Sequence, residues 1–185
     1  MIKKISTKIA GLYILKNISY EDNRGLFKEL WNKRIMNDLQ LKCSFDQDNI
    51  SISKKHVIRG LHFQNKPHEQ LKYIQVIQGR ILDVAVDIRK KSTTFGQYLA
   101  LEISNQNNTG LWIPKGFAHG FLALEDNTIV TYKCAGLYNR ENEQTIKWND
   151  PELNINWGIN NPKISTKDSQ GISFATYKED KNLEL

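Results

Sequence analysis

Histidines are the side chains best suited to acid–base chemistry near neutral pH, and the chain has four of them. His62 lies in the densest polar cluster of the sequence, the segment Arg59–Gln64. His56 and His68 stand near lysines in segments that we expect to be solvated loops. A single histidine in a β-rich chain is most often a hydrogen-bonded core residue, so His62 needs support from other residues before it is assigned to a site.

A lysine and a tyrosine supply that support, because strand alternation turns both of them toward the interior. Lys72 shares its side of a predicted strand with Ile74 and Val76. Tyr132 shares its side of a later strand with Val130. A lysine inside a barrel is costly unless an anion or a developing negative oxygen meets its ammonium group. These positions therefore predict an interior site that combines a base, a phenol and a cation.

The histidine spacing does not favour a metal centre. A metal-binding barrel of the cupin type usually offers a His-x-His pair, a nearby Glu and a further His from a later strand pair. The segment Pro114–His119 resembles the second half of that pattern, but Gln64 stands where the first pair needs its second histidine. Tight binding of a transition metal takes three or more ligands. We therefore expect neither a metal nor any other cofactor.

Short apolar runs rich in β-branched and aromatic residues must hold these side chains in place. Gln78 and Gly79 predict a tight hairpin between two of the runs. Asn32 predicts the cap of one short helix over 32–39. The spacing of the runs is typical of an all-β barrel or sandwich with minor short helices. The predicted strands are 9–15, 49–53, 72–77, 80–88, 97–103, 110–113, 117–124 and 128–134.

The length of 185 residues fits a single domain that spans residues 1–185. A chain of this size buries roughly 70% of its unfolded surface and needs no disulfide or metal to fold. The late segment around Trp148 and Trp157 is expected to pack back over the barrel through these rings. We expect residues 178–185 to form a loose, charged tail.

Charge narrows the range of partners. The chain has 26 Lys and Arg against 20 Asp and Glu, which gives a net charge of +6. Its basic residues are dispersed, and no basic helix with interleaved aromatic residues occurs, so nucleic acid is not the expected partner. The excess is compatible with an anionic small ligand. We interpret Asp83, Asp87 and Arg89 as a structural ion-pair set along a hairpin.

The cysteines and the N-terminal region indicate the cellular compartment of the protein. Cys43 and Cys134 lie far apart without the spacing of a redox or metal motif, so we expect reduced thiols. The apolar stretch 9–15 is short and lies between Lys8 and Lys16, which favours an opening strand over an export signal. We therefore predict a cytoplasmic protein without a membrane partner.

Ten motifs in one order carry a resemblance to a known family. Each motif is weak alone, but ten in order are specific, and together they span roughly residues 20–171. The motifs are Asp22–Glu29, Gln47–Ser51, Arg59–Gln64, Gln70–Lys72, Asp83–Arg89, Thr94–Gly96, Leu111–Phe121, Tyr132–Lys133, Trp148–Pro151 and Ser165–Asp168. With these motifs the chain resembles the dTDP-4-dehydrorhamnose 3,5-epimerase family of nucleotide-sugar enzymes.

The resemblance implies a cupin-like jelly roll, a homodimer with exchanged N-terminal strands, and metal-free catalysis. The implied reaction inverts C3 and C5 of a nucleotide-diphosphate-linked 4-keto sugar through an enolate, for surface polysaccharide assembly. His62 would be the base, oriented by Asp168. Tyr132 would return a proton to the opposite face of the ring, and Lys72 would stabilise the enolate oxygen on C4.

The resemblance also implies a set of residues that bind the substrate. Arg24, Arg59 and Lys167 would hold the diphosphate and nearby sugar oxygens. Tyr20 and Tyr138 stand where the family places aromatic rings that stack on the nucleobase. The remaining members of the implied ligand shell are Glu29, Gln47, Asp48, Asn49, His119 and Glu143.

Four positions depart from the family pattern. Leu71 stands in place of Gly, Gln75 in place of a basic residue, and Thr93 and Gly158 each in place of Pro. None of them is an implied acid, base or enolate partner, so the reaction class is kept. The nucleotide (dTDP or GDP) and the sugar (hexose or heptose) stay open. So do inversion of C3 alone, a non-catalytic sugar-nucleotide-binding cupin, and a metal-dependent cupin oxygenase.

Overall fold

Strands account for most of the regular structure in the computed structural model, which describes residues 2–180 and Leu183. The strands are β1 (Lys3–Ser6), β2 (Tyr13–Lys16), β3 (Ser19–Asp22), β4 (Gly25–Lys28), β5 (Gln47–Ser53), β6 (Ile58–Gln64), β7 (Leu71–Gln78), β8 (Arg80–Asp87), β9 (Tyr98–Ser104), β10 (Thr109–Ile113), β11 (Phe117–Ala123), β12 (Thr128–Ala135) and β13 (Glu143–Thr145). The helices are α1 (Lys33–Asp38), α2 (Thr166–Ser169) and α3 (Phe174–Glu179). None of these three helices of the described residues is long and apolar enough to cross a membrane.

Two antiparallel sheets face each other. One has six strands in the order β1-β2-β10-β7-β12-β5, and the other has five in the order β13-β6-β11-β8-β9. Strands β3 and β4 form a separate two-stranded hairpin. The predicted all-β, jelly-roll class is confirmed, and its physical basis is the run of β-branched and aromatic residues in each strand.

Apolar side chains fill three layers. The central layer lies between the sheets and includes Ile74 and Val76 of β7 with Ala85 of β8. A second layer covers the outer face of the five-stranded sheet, where Trp157 of the late segment packs, as its ring predicts. A third layer places α1, through Met36, on the outer face of the six-stranded sheet. Each fully buried side chain of this size contributes about 1.5–3 kcal/mol.

The predicted hairpin around Gln78 and Gly79 is wrong. Strand β7 pairs with β10 and β12, whereas β8 pairs with β9 and β11, so the turn carries the chain from one sheet to the other. Gly79 has a φ of 78°, and a Cβ there would lie 2.6 Å from Thr128 Oγ1. The residues signal a tight reversal correctly, but a turn signal does not say which sheet receives the next strand.

The predicted opening strand 9–15 begins only at Tyr13. Residues Ile9 to Leu12 form a turn in which Leu12 N donates to Ile9 O at 3.2 Å, and Thr7 Oγ1 donates to both of their carbonyl oxygens. Ile9 is 4% exposed and Leu12 is fully buried. The apolar run therefore marks core residues and not a continuous strand.

The two chain segments expected outside the strands differ in outcome. The short helix is confirmed, because Asn32 Oδ1 accepts from the backbone N–H of Arg34 and Ile35 at the start of α1. Of the segment 178–185, which is expected to be a loose tail, the structure describes residues 178–180 and Leu183. Lys178 and Glu179 end α3, and Leu183 is 7% exposed in the outer layer of the five-stranded sheet. Residues 181, 182, 184 and 185 lie outside the described residues.

Candidate active site

A cavity of about 690 Å³ opens between the two sheets. Strands β5, β7 and β12 of the six-stranded sheet form one wall, and β6, β11 and β13 of the other sheet, with α2 and the segment before it, form the rest. Its size falls in the range of about 300–1,000 Å³ that ligand sites occupy. The lining residues are Ile50, Ser51, Ile52, Val57, Ile58, Arg59, His62, Lys72, His119, Phe121, Tyr132, Glu143, Lys163, Ile164, Ser165, Lys167 and Asp168.

Two polar side chains of β6 enter this cavity although simple alternation would separate them. Arg59 and His62 both line the cavity, while Leu61 beside His62 is buried in the outer layer. In a regular strand, residues three positions apart point to opposite faces. An irregularity in β6 must therefore change the direction of the side chains between Arg59 and His62.

That irregularity is a β-bulge. Arg59 pairs with Phe121 and His62 pairs with His119, so a step of three residues in β6 matches a step of two in β11. Gly60, within the bulge, has a φ of 130°, and a Cβ on it would lie 2.5 Å from the Cα of Gly120. Glycine at both positions allows the close approach of the two backbones that brings Arg59 and His62 to one face.

The imidazole of His62 is held by a carboxylate from the other end of the chain. His62 Nε2 lies 2.7 Å from Asp168 Oδ1, and Asp168 is 4% exposed. Ser165 caps α2 and accepts from Asp168 N at 3.1 Å, while Gly60 N donates to Asp168 Oδ2 at 3.4 Å. Burial alone would raise the pKa of Asp168, but the hydrogen bond and charge of His62, with the Gly60 and Ser165 contacts, hold the pKa below its usual value.

Lys72 and Tyr132 reach the cavity from the six-stranded sheet, as their alternation predicts. Neither the Lys72 ammonium nor the Tyr132 hydroxyl has a hydrogen-bond or ion-pair partner among residues 2–180 and Leu183. Burial lowers the pKa of Lys72, and the charges of Cys134, Glu143 and Asp83 oppose that shift. Burial raises the pKa of Tyr132, so its phenol keeps its proton at neutral pH.

Glu143, an acidic residue that lines the cavity, contacts both a lysine and a tyrosine. Lys167 Nζ forms an ion pair with Glu143 Oε2, and Tyr138 Oη donates to the same oxygen at 2.8 Å. Burial would raise the pKa of Glu143, but its contacts with Lys167 and Tyr138 and the charges of Lys167 and His62 hold the pKa below the usual value. Glu143 is thus a carboxylate whose charge is already met by a cation.

Arg59 and Lys163 bring further positive charge to the cavity wall. Arg59 Nε donates to Ser53 Oγ at 3.1 Å and Arg59 Nη2 donates to Ile52 O at 3.3 Å, so both acceptors are neutral and no carboxylate among the described residues pairs with the guanidinium. Lys163 N donates to His56 O at 2.7 Å, and Lys163 O accepts from Ile58 N at 2.9 Å. The sequence analysis did not single out Lys163. The parallel bridge that places it beside β6 has no signal in the sequence.

A second histidine–carboxylate pair lies deeper. His119 Nε2 is 2.9 Å from Asp83 Oδ2, and the side chains are 9% and 0% exposed. The interpretation of Asp83 as a structural ion-pair partner of Arg89 is therefore wrong. Only Asp87 pairs with Arg89, at 2.7 Å. Strand alternation gives both aspartates the same inward side, but it does not tell which partner each one meets.

Three of the implied ligand residues lie in the β3–β4 hairpin or just after it, and they do not line the cavity of their own chain. The Tyr20 residue is 63% exposed, and the Arg24 side chain is 85% exposed and forms an ion pair with Asp22 at 2.6 Å. Glu29 is exposed and accepts from Asn32 Nδ2 at 3.1 Å.

The implied residues of β5 lie at the edge of the six-stranded sheet. Gln47 Nε2 donates to Asn49 Oδ1 at 2.8 Å, and Gln47 Oε1 accepts from Tyr138 N at 3.0 Å. Asp48 instead forms an ion pair with Lys133 at 2.8 Å, on the strand face away from Tyr132. None of Gln47, Asp48 and Asn49 lines the cavity.

The described residues contain no group of three or more His, Cys, Asp and Glu side chains arranged to hold a metal ion. A carboxylate-oriented imidazole on one wall of a cavity and a protonated phenol on the facing wall can serve as a base and an acid for the same bound molecule. The fold and the site together therefore define a jelly-roll protein equipped for acid–base chemistry.

The sequence model for dTDP-4-dehydrorhamnose 3,5-epimerase matches residues 6–176. The dTDP-4-dehydrorhamnose 3,5-epimerase of Methanothermobacter thermautotrophicus is 46% identical over 156 residues, which are 84% of this chain and 83% of the relative. The chain belongs to the dTDP-4-dehydrorhamnose 3,5-epimerase family. The predicted family and the predicted epimerase class are therefore confirmed.

Two solved structures are similar to this one over nearly the whole chain. The Bacillus anthracis dTDP-4-dehydrorhamnose 3,5-epimerase, with TDP and PPi bound, has a TM-score of 0.92 at 42% identity and covers 94% of this chain and 100% of its own. The Legionella pneumophila dTDP-6-deoxy-D-glucose-3,5-epimerase, in complex with dTDP-4-keto-L-rhamnose, has a TM-score of 0.88 at 41% identity and covers 92% of each chain.

Proposed function

We propose that this chain inverts C3 and C5 of a dTDP-linked 4-keto-6-deoxy sugar by exchanging protons at the carbons beside the ketone. The observation that carries the proposal is the placement of His62 and Tyr132 on facing sheets of one cavity, with Lys72 beside them. A sugar ring between the two walls has a base on one face and an acid on the other. Inversion needs this arrangement, because a single group would tend to return the proton to the face from which it came.

His62 is the proposed base. Asp168 is a carboxylate at neutral pH, so it accepts from His62 Nε2 and leaves Nδ1 as the nitrogen that takes a proton. The same hydrogen bond fixes the ring and stabilises the imidazolium that forms when the proton leaves C3 or C5. A base of this kind typically contributes about 10²–10⁴-fold in rate.

Tyr132 is the proposed acid. Its raised pKa keeps the phenol protonated at neutral pH, so it can deliver a proton to the face that His62 does not reach. Each inversion then moves one proton from carbon to His62 and one from Tyr132 to carbon. Water in the open cavity restores both groups, after which the second carbon can react in the same way.

Lys72 is the proposed partner of the oxygen on C4. When a proton leaves C3 or C5, the electron pair moves onto that oxygen, and a nearby ammonium lowers the barrier, most strongly where water is scarce. Lys72 has no internal anion bound to its ammonium among the described residues, so the developing enolate meets an unoccupied cation. The proposed contact with the enolate oxygen thus accounts for a lysine ammonium inside the barrel.

Positive charge at the cavity supports a diphosphate substrate. Arg59 and Lys163 line the wall without carboxylate partners among the described residues, and Lys167 stands beside them. A guanidinium group matches phosphate oxygens in pairs. The relatives support dTDP over GDP, since the similar structures hold TDP and dTDP-4-keto-L-rhamnose. The product would serve surface polysaccharide assembly.

We also propose a homodimer that completes each site. Tyr20 and Phe27 of the hairpin are 63% and 68% exposed, and Arg24 is directed to solvent, so their own cavity does not explain these residues. Ile50 and Ile52 on β5, beside the cavity, are 65% and 62% exposed. A second copy would cover both apolar surfaces and bring the hairpin to the partner's cavity.

A cytoplasmic location fits the cysteines. Cys43 and Cys134 are free thiols. Burial, with the charge of Asp46, raises the pKa of Cys43 to about 11, and burial raises the pKa of Cys134, so both stay protonated and unreactive near neutral pH. Such thiols suit a reducing compartment.

The experiment that tests the function uses dTDP- and GDP-linked 4-keto-6-deoxy sugars in heavy water, with ¹H NMR of the products. We expect deuterium at both C3 and C5 of the dTDP sugar and inversion of both centres. Deuterium at C3 alone would support a C3 epimerase instead. Binding without deuterium uptake would support a non-catalytic protein. Stoichiometric iron found by elemental analysis, without inversion, would support an oxygenase.

A matched variant tests the acid. In Tyr132→Phe the ring is kept and only the hydroxyl is lost, so His62 can still exchange protons while inversion fails. We expect washout of the C3 or C5 hydrogens with little inverted product. Full double inversion by this variant would show that Tyr132 is not the acid.

Mixed subunits test the shared site. Arg24→Ala and His62→Ala should each be weakly active alone. If the hairpin serves the partner's cavity, unfolding and refolding the two variants together creates dimers with one intact site and restores about a quarter of wild-type activity. No recovery in dimers shown by native mass spectrometry to be mixed would place Arg24 in its own chain's site.

A further inference from the structure

Asp83 is the most deeply buried carboxylate near the proposed reaction. The side chain on β8 is 0% exposed and faces the space between the sheets. One oxygen, Oδ2, lies 2.9 Å from His119 Nε2, and the other, Oδ1, has no hydrogen-bond partner in the described part of the chain. A buried carboxylate with one unsatisfied oxygen costs free energy, so a compensating charge is expected close by.

Two groups that can carry positive charge face it from different strands. His119 comes from β11 of the same sheet, and Lys72 comes from β7 of the facing sheet and lines the same cavity as His119, where the negative charge of Asp83 favours its ammonium form. The other titratable groups around Lys72 are Cys134 and Tyr132 on β12, Glu143 on β13 and His62 on β6.

These neighbours differ in the negative charge they can offer Lys72. Cys134 stays a neutral thiol near neutral pH because burial raises its pKa. Glu143 is already paired with Lys167. Asp83 shares its charge only with His119 among the partners in the described residues. Of the two carboxylates that act on Lys72, Glu143 and Asp83, only Asp83 has a buried oxygen without a hydrogen-bond partner in the described part of the chain.

We propose that Asp83 is a positioning residue that fixes the ring of His119 and supplies the counter-charge that keeps Lys72 an ammonium. The inference deepens the proposed function, in which Lys72 meets the oxygen on C4. Asp83 itself touches no substrate, because it lies behind His119 and does not line the cavity. Its contribution is to leave Lys72 charged but unpaired, ready for an anion that forms during the reaction.

The test is a titration of Lys72 in the full chain without substrate. Protein labelled with ¹³C at lysine Cε is followed by NMR from pH 7 to 11, and the Lys72 signal is identified by its loss in Lys72→Met. In Asp83→Asn the counter-charge disappears, so we expect Lys72 to lose its proton about one pH unit lower, a tenfold change in its ionisation constant. An unchanged titration in the folded variant would overturn the proposal.

A matched control comes from the same strand. Asp87 is equally buried but is bound by Arg89, Ser92 and Thr94, away from the cavity lining. Asp87→Asn should leave the Lys72 titration at its wild-type position. An equal shift in both variants would mean general loosening of the structure and would count against Asp83. If Asp83→Asn does not fold, Asp83→Ser, which leaves room for a water, is titrated instead.

A kinetic measurement distinguishes a role of Asp83 in positioning Lys72 from a purely structural role. In Asp83→Asn the alkaline limb of kcat should move to lower pH, while KM at pH 7 changes less than threefold. Lack of turnover by the wild-type protein would reject the proposed function, yet the titration would still decide whether Asp83 holds the charge of Lys72. A shifted titration with an unmoved alkaline limb would overturn the role of Asp83 in the reaction.

Discussion

The two histidine–aspartate pairs of the barrel lie side by side and have the same hydrogen-bonded groups, but they differ in their exposure to solvent and in the origin of the carboxylate. His62 and His119 are direct cross-strand partners on β6 and β11. Their Nε2 atoms lie 2.7 Å from Asp168 and 2.9 Å from Asp83. The His62 side chain is 27% exposed toward the cavity, whereas the His119 side chain is 9% exposed. The same pairing therefore places one imidazole where a ligand in the cavity can reach it and largely shields the other from solvent.

The source of each carboxylate explains the contrast. Asp168 comes from a short capped helix, and both of its oxygens have donors, so it is satisfied without any other charge. Asp83 comes from a central strand, and one of its oxygens has no partner among the described residues. A satisfied carboxylate can orient a base through a whole catalytic cycle. A carboxylate with an unpaired oxygen, such as Asp83, also acts on nearby cations, and Lys72 is one of them.

The variant His62→Ala should have the largest effect on activity and tests the role assigned to the exposed pair. We expect kcat for the 4-keto sugar to fall by about 10²–10⁴-fold, because the base that starts each inversion is lost. The partly exposed position should keep the fold intact, with an unchanged circular dichroism spectrum. Product formation is followed by NMR. A variant that keeps full activity would remove His62 from the reaction.

The buried pair should show its effect in stability. In His119→Ala, Asp83 is left as an unpaired buried charge, so we expect the free energy of unfolding to fall by about 3–5 kcal/mol. His62→Ala should cost about 1 kcal/mol, since water in the cavity can reach Asp168. Urea unfolding measures both. Equal losses in the two variants would mean that the pairs do not differ as their exposure indicates.

The smallest effect is expected at acid pH. The pKa of Asp168 is held below its usual value of 3.8, so its stabilising contribution is present above about pH 3.8 and is lost as the pH falls through the lowered pKa. Asp168→Asn has no such contribution to lose. Its stability, measured by thermal melting from pH 6 to 2.5, should therefore decline less steeply than that of the wild type. Parallel curves would contradict the lowered pKa.

Strand alternation allowed part of the site to be predicted. The inward direction of Lys72 and Tyr132 follows from the apolar residues beside them, and both line the cavity. The nearness of His62 and Asp168, which are 106 residues apart, follows from no local pattern, and only the family resemblance indicated it. Local periodicity fixes the face of a strand, whereas long-range contacts depend on how the strands are ordered.

The errors have the same origin. Gly79 signals a reversal, but the chain passes to the opposite sheet, which turn chemistry does not encode. Asp83 and Asp87 share one side of β8, yet they meet different partners: His119 comes from the neighbouring strand β11, whereas Arg89 follows Asp87 by two residues in the loop after β8. Sequence patterns thus described the walls of the site better than the contacts across it.

The bulge at Gly60 divides β6 into two short segments. Arg59, before the bulge, is one of the basic residues that line the cavity, and His62, after it, is the proposed base. In a regular strand without the bulge, side chains three positions apart, as Arg59 and His62 are, would point to opposite faces. The register of the barrel thereby holds the proposed phosphate-binding group and the proposed base on one face, so a substitution on either side of Gly60 must preserve that register.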